Sequence, residues 1–129
     1  MSRIKGSNTK PEIIVRSYLH KKGFRYTLHN SKLPGKPDIC LPKYKTVIFV
    51  HGCFWHRHKG CKFAYTPKSR IDFWNRKLKG NVLRDERNKS ELIKKGWQVS
   101  IIWECEVKQK ETFTEKIETI ISALLSQIP

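Results

Sequence analysis

The 129 residues are of single-domain size, and a net charge of +16, from 27 Lys and Arg against 11 Asp and Glu, points to a polyanionic partner. No apolar run approaches the ~20 residues of a transmembrane span. Met1-Ser-Arg-Ile-Lys-Gly6 lacks the apolar core of a secretory leader, and no basic amphipathic helix favours a membrane surface, so a cytosolic nucleic-acid-binding domain is expected.

Thr9-Lys-Pro-Glu12 has the form of a capping box, in which hydroxyl and carboxylate each satisfy an orphan N–H. Ile13, Ile14, Val15, Tyr18 and Leu19 follow at helical spacing, and Gly23 closes this first helix. Phe24 to Leu28 reads as a strand. Leu33-Pro-Gly-Lys-Pro37 is a turn that delivers Asp38 to a second strand running to Leu41. Lys43-Tyr-Lys45 connects tightly to a third strand, Thr46 to His51. Gly52 to Pro67 is irregular, aromatic and basic, and a loop of that length in a small domain usually carries function. Ser69 is expected to cap a helix over residues 70–79, Gly80 to interrupt it, and a second helix to run over residues 82–95 up to Gly96. Trp97 to Trp103 alternates and then turns wholly apolar, as an inner strand does. Thr112 or Thr114 opens the last helix, with Phe113, Ile117, Ile120, Ile121, Leu124 and Leu125 on one face. The expectation is an α/β fold: a single domain over residues 1–129, with a central mixed sheet flanked by helices and no repeat or linker.

The chemistry concentrates where the third strand stops. Cys53-x4-His58-x2-Cys61 offers three soft or borderline ligands on one loop. A tetrahedral Zn2+ site calls for a fourth, best supplied by Cys105 just past Trp103. In the cytosol four Cys are thiols or metal ligands rather than disulfides. Cys40, inside a strand, is a small core residue. The competing reading makes the loop Cys core thiols, but the loop has no apolar stretch to bury them. A domain this small gains from a structural metal.

Asp38 is a hard oxygen donor of the kind Mg2+ takes. It opens one strand, and Val50 and His51 close the next. If the strands are neighbours, Asp38 and His51 share one end of the sheet. This resembles the PD-(D/E)XK nuclease arrangement, with Pro37-Asp38 on one strand and Phe49-Val50-His51 in the place of an acidic-x-basic triplet. The acidic residue is missing, and His stands where Lys is usual. Phosphodiester hydrolysis needs a metal at the phosphate, an activated water and a donor for the leaving oxygen.

Leu33-Pro-Gly-Lys-Pro-Asp38, Val47-Ile-Phe-Val-His-Gly-Cys-Phe-Trp-His56, Phe73-Trp74, Gly80-Asn-Val82, Arg84-Asp85 and Trp103-Glu-Cys105 together resemble the very-short-patch repair (Vsr) mismatch endonucleases, from about Met1 to Leu125. The resemblance implies Mg2+-dependent nicking of the T-bearing strand at a T:G mismatch left by deamination of 5-methylcytosine. It implies that Asp38 binds the metal, that the Val50 backbone carbonyl also faces it, and that Glu12 stands near its waters. His51 and His56 would be the catalytic histidines, with Asp85 orienting His56. The implied zinc ligands are Cys53, His58, Cys61 and Cys105, with one extra residue between His58 and Cys61. Phe54, Trp55 and Trp74, set among basic residues, would insert between base pairs beside the mismatch. Arg57 and Lys59 are candidate DNA contacts, whereas Phe73 and Trp97 read as packing residues. Relatives often have a longer arm before the segment matching Met1, so a weaker clamp on the minor groove is expected.

Each residue also has a plainer reading. Glu12 is accounted for by its capping box, Asp85 by pairing with Arg84 or Lys89, and His56 by the loop surface. Two other functions compete. One is an endonuclease of the same fold acting on intact duplex or another lesion. The other is a zinc-stabilised DNA-binding module without catalysis, which would need Lys, Arg and aromatics but not Asp38, His51, His56 and Asp85 together. The expected setting is a monomer in the bacterial cytoplasm, at the nucleoid, on mismatched duplex DNA, with mismatch-repair proteins as further partners.

Overall fold

Alternation along the strands divides the core into two faces, and helices cover both. The computed structural model describes residues 8–127; residues 1–7, on which the expectations of a short arm and of no secretory leader fall, lie outside them. The elements are α1 (Lys10–Lys21), β1 (Thr27–Leu28), β2 (Ile39–Leu41), β3 (Thr46–His51), α2 (Ile71–Lys94), β4 (Gln98–Trp103), α3 (Glu104–Val107) and α4 (Lys110–Leu125). The sheet order is β1-β2-β3-β4, antiparallel except for the β3–β4 pair. The sheet is therefore mixed, and parallel register sets Val47 beside Val99 and His51 beside Trp103.

Ile39, Leu41, Ile48 and Ile102 join one core with Val15 and Leu19 of α1 and Phe113, Ile117, Ile120, Ile121 and Leu124 of α4. Cys40, Val47 and Phe49 join the other, against Leu92 of α2. Cover on both faces is why β3 is apolar at nearly every position. Asp38 and His51 continue the second series, so alternation turns them toward α2. No described helix is long and apolar enough to cross a membrane.

Several elements depart from expectation. The strand expected from Phe24 shrinks to Thr27–Leu28, because the Gly23 and Phe24 N–H groups bond back to His20 and Leu19 to close α1. The two helices expected on either side of Gly80 are one helix, α2. A mid-helix Gly costs only about 1 kcal/mol relative to Ala. Burial of Leu78 and Leu92 on the same stripe outweighs that. The helix starts after Arg70, in the left-handed region at φ 57, and Ser69 does not cap it. Strand β4 lies at the sheet edge, not inside it. Its apolar run reflects cover on its faces, by α2 among others, rather than two flanking strands. Helix α4 begins at Lys110, ahead of both Thr residues, and Leu125 is exposed.

Candidate active site

The start of α1, the ends of β2 and β3 and the middle of α2 surround a cleft of about 590 Å³. Its carboxylate side begins with the α1 cap. Thr9 Oγ1 accepts the Glu12 N–H at 3.4 Å, but the reciprocal half of the capping box is not made. Glu12 Oε1 instead takes the Asn8 N–H at 3.1 Å, and Oε2 takes Arg16 Nη1 at 2.9 Å. At 2% exposure Glu12 is a buried carboxylate facing the cleft, and its role as a cap is secondary. Asp38 Oδ2 accepts the Val50 N–H at 2.7 Å, which ties β2 to the end of β3. Burial lifts the Asp38 carboxyl to about 6, against the opposing pull of that N–H, and the charge of Glu12 adds to the rise.

The third member of this group, His29, has no counterpart among the residues expected from sequence. Its backbone N–H bonds Asp38 O at 3.1 Å, and its Nε2 lies 2.8 Å from Glu12 Oε2. One ligand atom from each of Glu12, His29 and Asp38 falls within 4.8 Å of the others. No motif marks His29; the β1–β2 pairing alone brings it here.

Facing this group is a histidine pair. His51 and His56 stack with ring centroids 3.7 Å apart and planes 4° from parallel. His56 Nδ1 bonds Asp85 Oδ2 at 2.6 Å, so Asp85 pairs with His56 rather than with Arg84 or Lys89. Helix α2 reaches the cleft because Leu78, Asn81, Asp85, Asn88 and Leu92 recur at three- and four-residue spacing, two buried anchors bracketing three polar residues. Asn81 Nδ2 donates to Trp55 O at 3.0 Å and pins the loop to this stripe. Burial lowers His51 to about 4, and the neighbouring His56 pushes the same way. His51 is therefore neutral at pH 7.

Cys53, His58, Cys61 and Cys105 converge within the same 4.8 Å limit. His58 Nδ1 lies 3.7 Å from Cys53 Sγ and 3.4 Å from Cys105 Sγ. The His58 ring stacks on Trp103 at 4.1 Å, which fixes its plane. Burial pushes the Cys53 thiol up to about 12. Cys40 is buried in the sheet, apart from this group, as expected of a core residue.

Phe54 and Trp55 line the cleft, and with Trp74 they pack on one another at centroid distances of 4.9, 5.5 and 5.9 Å. All three are half-buried, and consecutive Phe54 and Trp55 share one cluster within a tightly turned loop, where the His56 N–H bonds Gly52 O at 3.2 Å and the His58 N–H bonds Cys53 O at 3.0 Å. Phe73, expected to be a packing residue, is 38% exposed and borders this cluster, as does Tyr65. Trp97 packs against the α2-side core as expected. Arg57 Nη2 donates to Thr66 Oγ1 at 3.2 Å and Asn75 Oδ1 at 2.6 Å, so this guanidinium braces the loop against α2. Lys59 is exposed.

Comparison with known proteins identifies the family. The family model described as DNA mismatch endonuclease Vsr matches residues 1–62. The chain is 43% identical to the type II nicking enzyme V.XorIIP of Xanthomonas oryzae pv. oryzae, over 94% of this chain and 88% of that one. It is 46% identical to the type II nicking enzyme V.NmeAIP of Neisseria meningitidis serogroup A, over 94% and 86%. It is 39% identical to the DNA mismatch endonuclease Vsr of Escherichia coli, over 92% and 76%. With identity this high across most of each chain, the protein belongs to the Vsr family of DNA endonucleases.

Proposed function

We propose that this endonuclease nicks the T-bearing strand at a T:G mismatch by Mg2+-dependent hydrolysis, on a PD-(D/E)XK-like core braced by a structural Zn2+. The observation that carries the reading is the meeting, in one cleft, of a carboxylate group with a stacked histidine pair, beside an aromatic cluster in a chain of charge +16. Asp38 and Glu12 are hard donors that fit Mg2+, with the Val50 carbonyl as a third oxygen next to the amide that holds Asp38. Bound there, Mg2+ supplies the positive charge that polarises the scissile phosphate.

The rest is done by side chains. Asp85 holds the proton of His56 on Nδ1, leaving Nε2 to take or deliver a proton at the reacting oxygen. The carboxylate also stabilises the charge that His56 gains. His51, uncharged at pH 7, stacks on His56 without opposing that charge and can donate a hydrogen bond to a phosphate oxygen.

Three thiols and one imidazole are a donor set suited to Zn2+. Those ligands bracket Phe54, Trp55 and His56 in the chain, so closing the site would fix the catalytic His and the wedge together. Phe54, Trp55 and Trp74 would enter the stack beside the mismatch, with Lys59 on a phosphate and Arg57 holding the loop in shape. A T:G lesion has no two-fold symmetry, which suits a monomer cutting one strand.

The test is nicking of one duplex series carrying T:G, other mismatches or no mismatch, with and without Mg2+. Preferential cutting of the T strand at T:G, only with Mg2+, is expected. Equal cutting of matched duplex would replace the mismatch reading by that of a general endonuclease.

A further inference from the structure

We propose that His29 is a nitrogen ligand of the cleft cation, and that it tunes the site toward Mn2+ relative to Mg2+; this rests on the metal-dependent reading above. The His29 Nε2 atom is buried and has no hydrogen-bond partner. Buried imidazole nitrogens almost always have one. Its 2.8 Å approach to Glu12 Oε2 lacks the alignment of a hydrogen bond, and that oxygen already receives Arg16. The nitrogen thus stands within ion-pair reach of Glu12 without a directed hydrogen bond to it.

The position is also built. His29 holds a left-handed backbone at φ 47, and its N–H is fixed to Asp38 O. Three separate segments, α1, the end of the β1 turn and the start of β2, each present one donor atom to the same space. In an octahedral shell with bonds of about 2.1 Å, neighbouring donors sit about 3 Å apart. The His29–Glu12 distance of 2.8 Å has that size. Mg2+ keeps to oxygen donors and its own water, whereas first-row divalent ions accept imidazole beside carboxylate. A Glu–His–Asp set therefore discriminates where an all-oxygen set does not.

The test uses the full chain with its zinc left in place and no chelator. Mn2+ is titrated and the free ion counted by electron paramagnetic resonance, and Mg2+ then competes for the site. Pulsed spectra of the bound Mn2+ report directly on nitrogen ligation. The variant is His29→Asn, because Asn tolerates the left-handed backbone but its amide falls short of the ring nitrogen. The expected result is a nitrogen coupling in wild type that His29→Asn lacks, with Mn2+ affinity down about tenfold or more and Mg2+ affinity little changed.

No nitrogen coupling in wild type would overturn the proposal without any need for the variant. So would a coupling that persists in His29→Asn, or an equal loss of both cations, which would mean that His29 only positions Glu12. If Asp38→Asn binds Mn2+ as wild type does, the cleft is not the cation site and the metal reading itself fails. If Asp38→Asn loses Mn2+ but His29→Asn keeps the wild-type ratio, only the present inference falls.

Discussion

Asp38 carries opposite consequences for activity and stability. Its carboxyl is held near 6 by burial, against 3.8 for a free side chain. A raised folded value means that the native state favours the protonated form. The associated stability is present below about pH 4 and is lost as pH rises through 6. At pH 8 the metal-free protein therefore carries an ionised carboxylate at a cost on the order of 1–3 kcal/mol. Asp38→Asn keeps an acceptor for the Val50 N–H and removes the charge. It should abolish nicking, yet unfold later than wild type in Mg2+-free buffer at pH 8, the gain vanishing below pH 4. Equal unfolding midpoints at pH 8 would mean that Asp38 is better solvated than its burial implies. His56 and Asp85 make a second pair of expectations. His56→Ala should slow the chemical step by about 10²-fold or more at saturating DNA. Asp85→Asn should cost less, since it loses orientation and charge support but not the ring. A silent Asp85→Asn beside a severe His56→Ala would dissolve the dyad while leaving the histidine in place.

Helix α2 decides where these residues meet, and Gly80 is the weak point in its middle. A Cβ built on Gly80 meets nothing within 4 Å, and the residue does not hold a positive φ. Gly80→Ala should accordingly stabilise the protein by about 0.5–1 kcal/mol in urea unfolding, through helix propensity alone. A loss of stability would show that something approaches the helix there. The Cys–His group makes the other element-scale expectation: one zinc per chain, with Cys105→Ser losing both the metal and several kcal/mol of folding free energy. Metal analysis finding no zinc in wild type would discard the site. Sequence made part of this legible. Strand β3 and the residues at its end stood out because an apolar run stops abruptly at a cluster of His, Cys and aromatics. Asp85 was legible only through family resemblance, although the stripe from Leu78 to Leu92 already held the signal: polar residues at positions a buried face should fill. The break expected at Gly80 does not occur, because tertiary packing of Leu78 and Leu92 outweighs a local propensity of about 1 kcal/mol. His29 was not legible at all, since strand pairing rather than sequence spacing puts it beside Asp38.

At the scale of the whole molecule, the proposed function divides the work of recognition between charge and the aromatic cluster. The excess of Lys and Arg attracts any duplex, and this attraction weakens as salt displaces the advantage of counterion release. The aromatics would act locally. In the free protein Phe54, Trp55 and Trp74 are half-buried on one another, so entering a base stack means leaving these contacts. Opening a base step costs a further few kcal/mol, and less where the pair is already weak. On the proposed reading, the two costs together would make insertion favourable only at a damaged step, so that the difference in opening cost between the two duplexes is expressed in cutting. Trp55→Ala should therefore lower the ratio of T:G to T:A nicking while leaving affinity for matched duplex nearly unchanged. Raising the salt concentration should do the reverse, weakening binding to both duplexes while preserving the ratio. Measured nicking rates for both duplexes, across a salt series and in both proteins, separate the two contributions. If Trp55→Ala weakens both duplexes equally, the cluster is part of the general binding surface, and discrimination must come from elsewhere in the cleft.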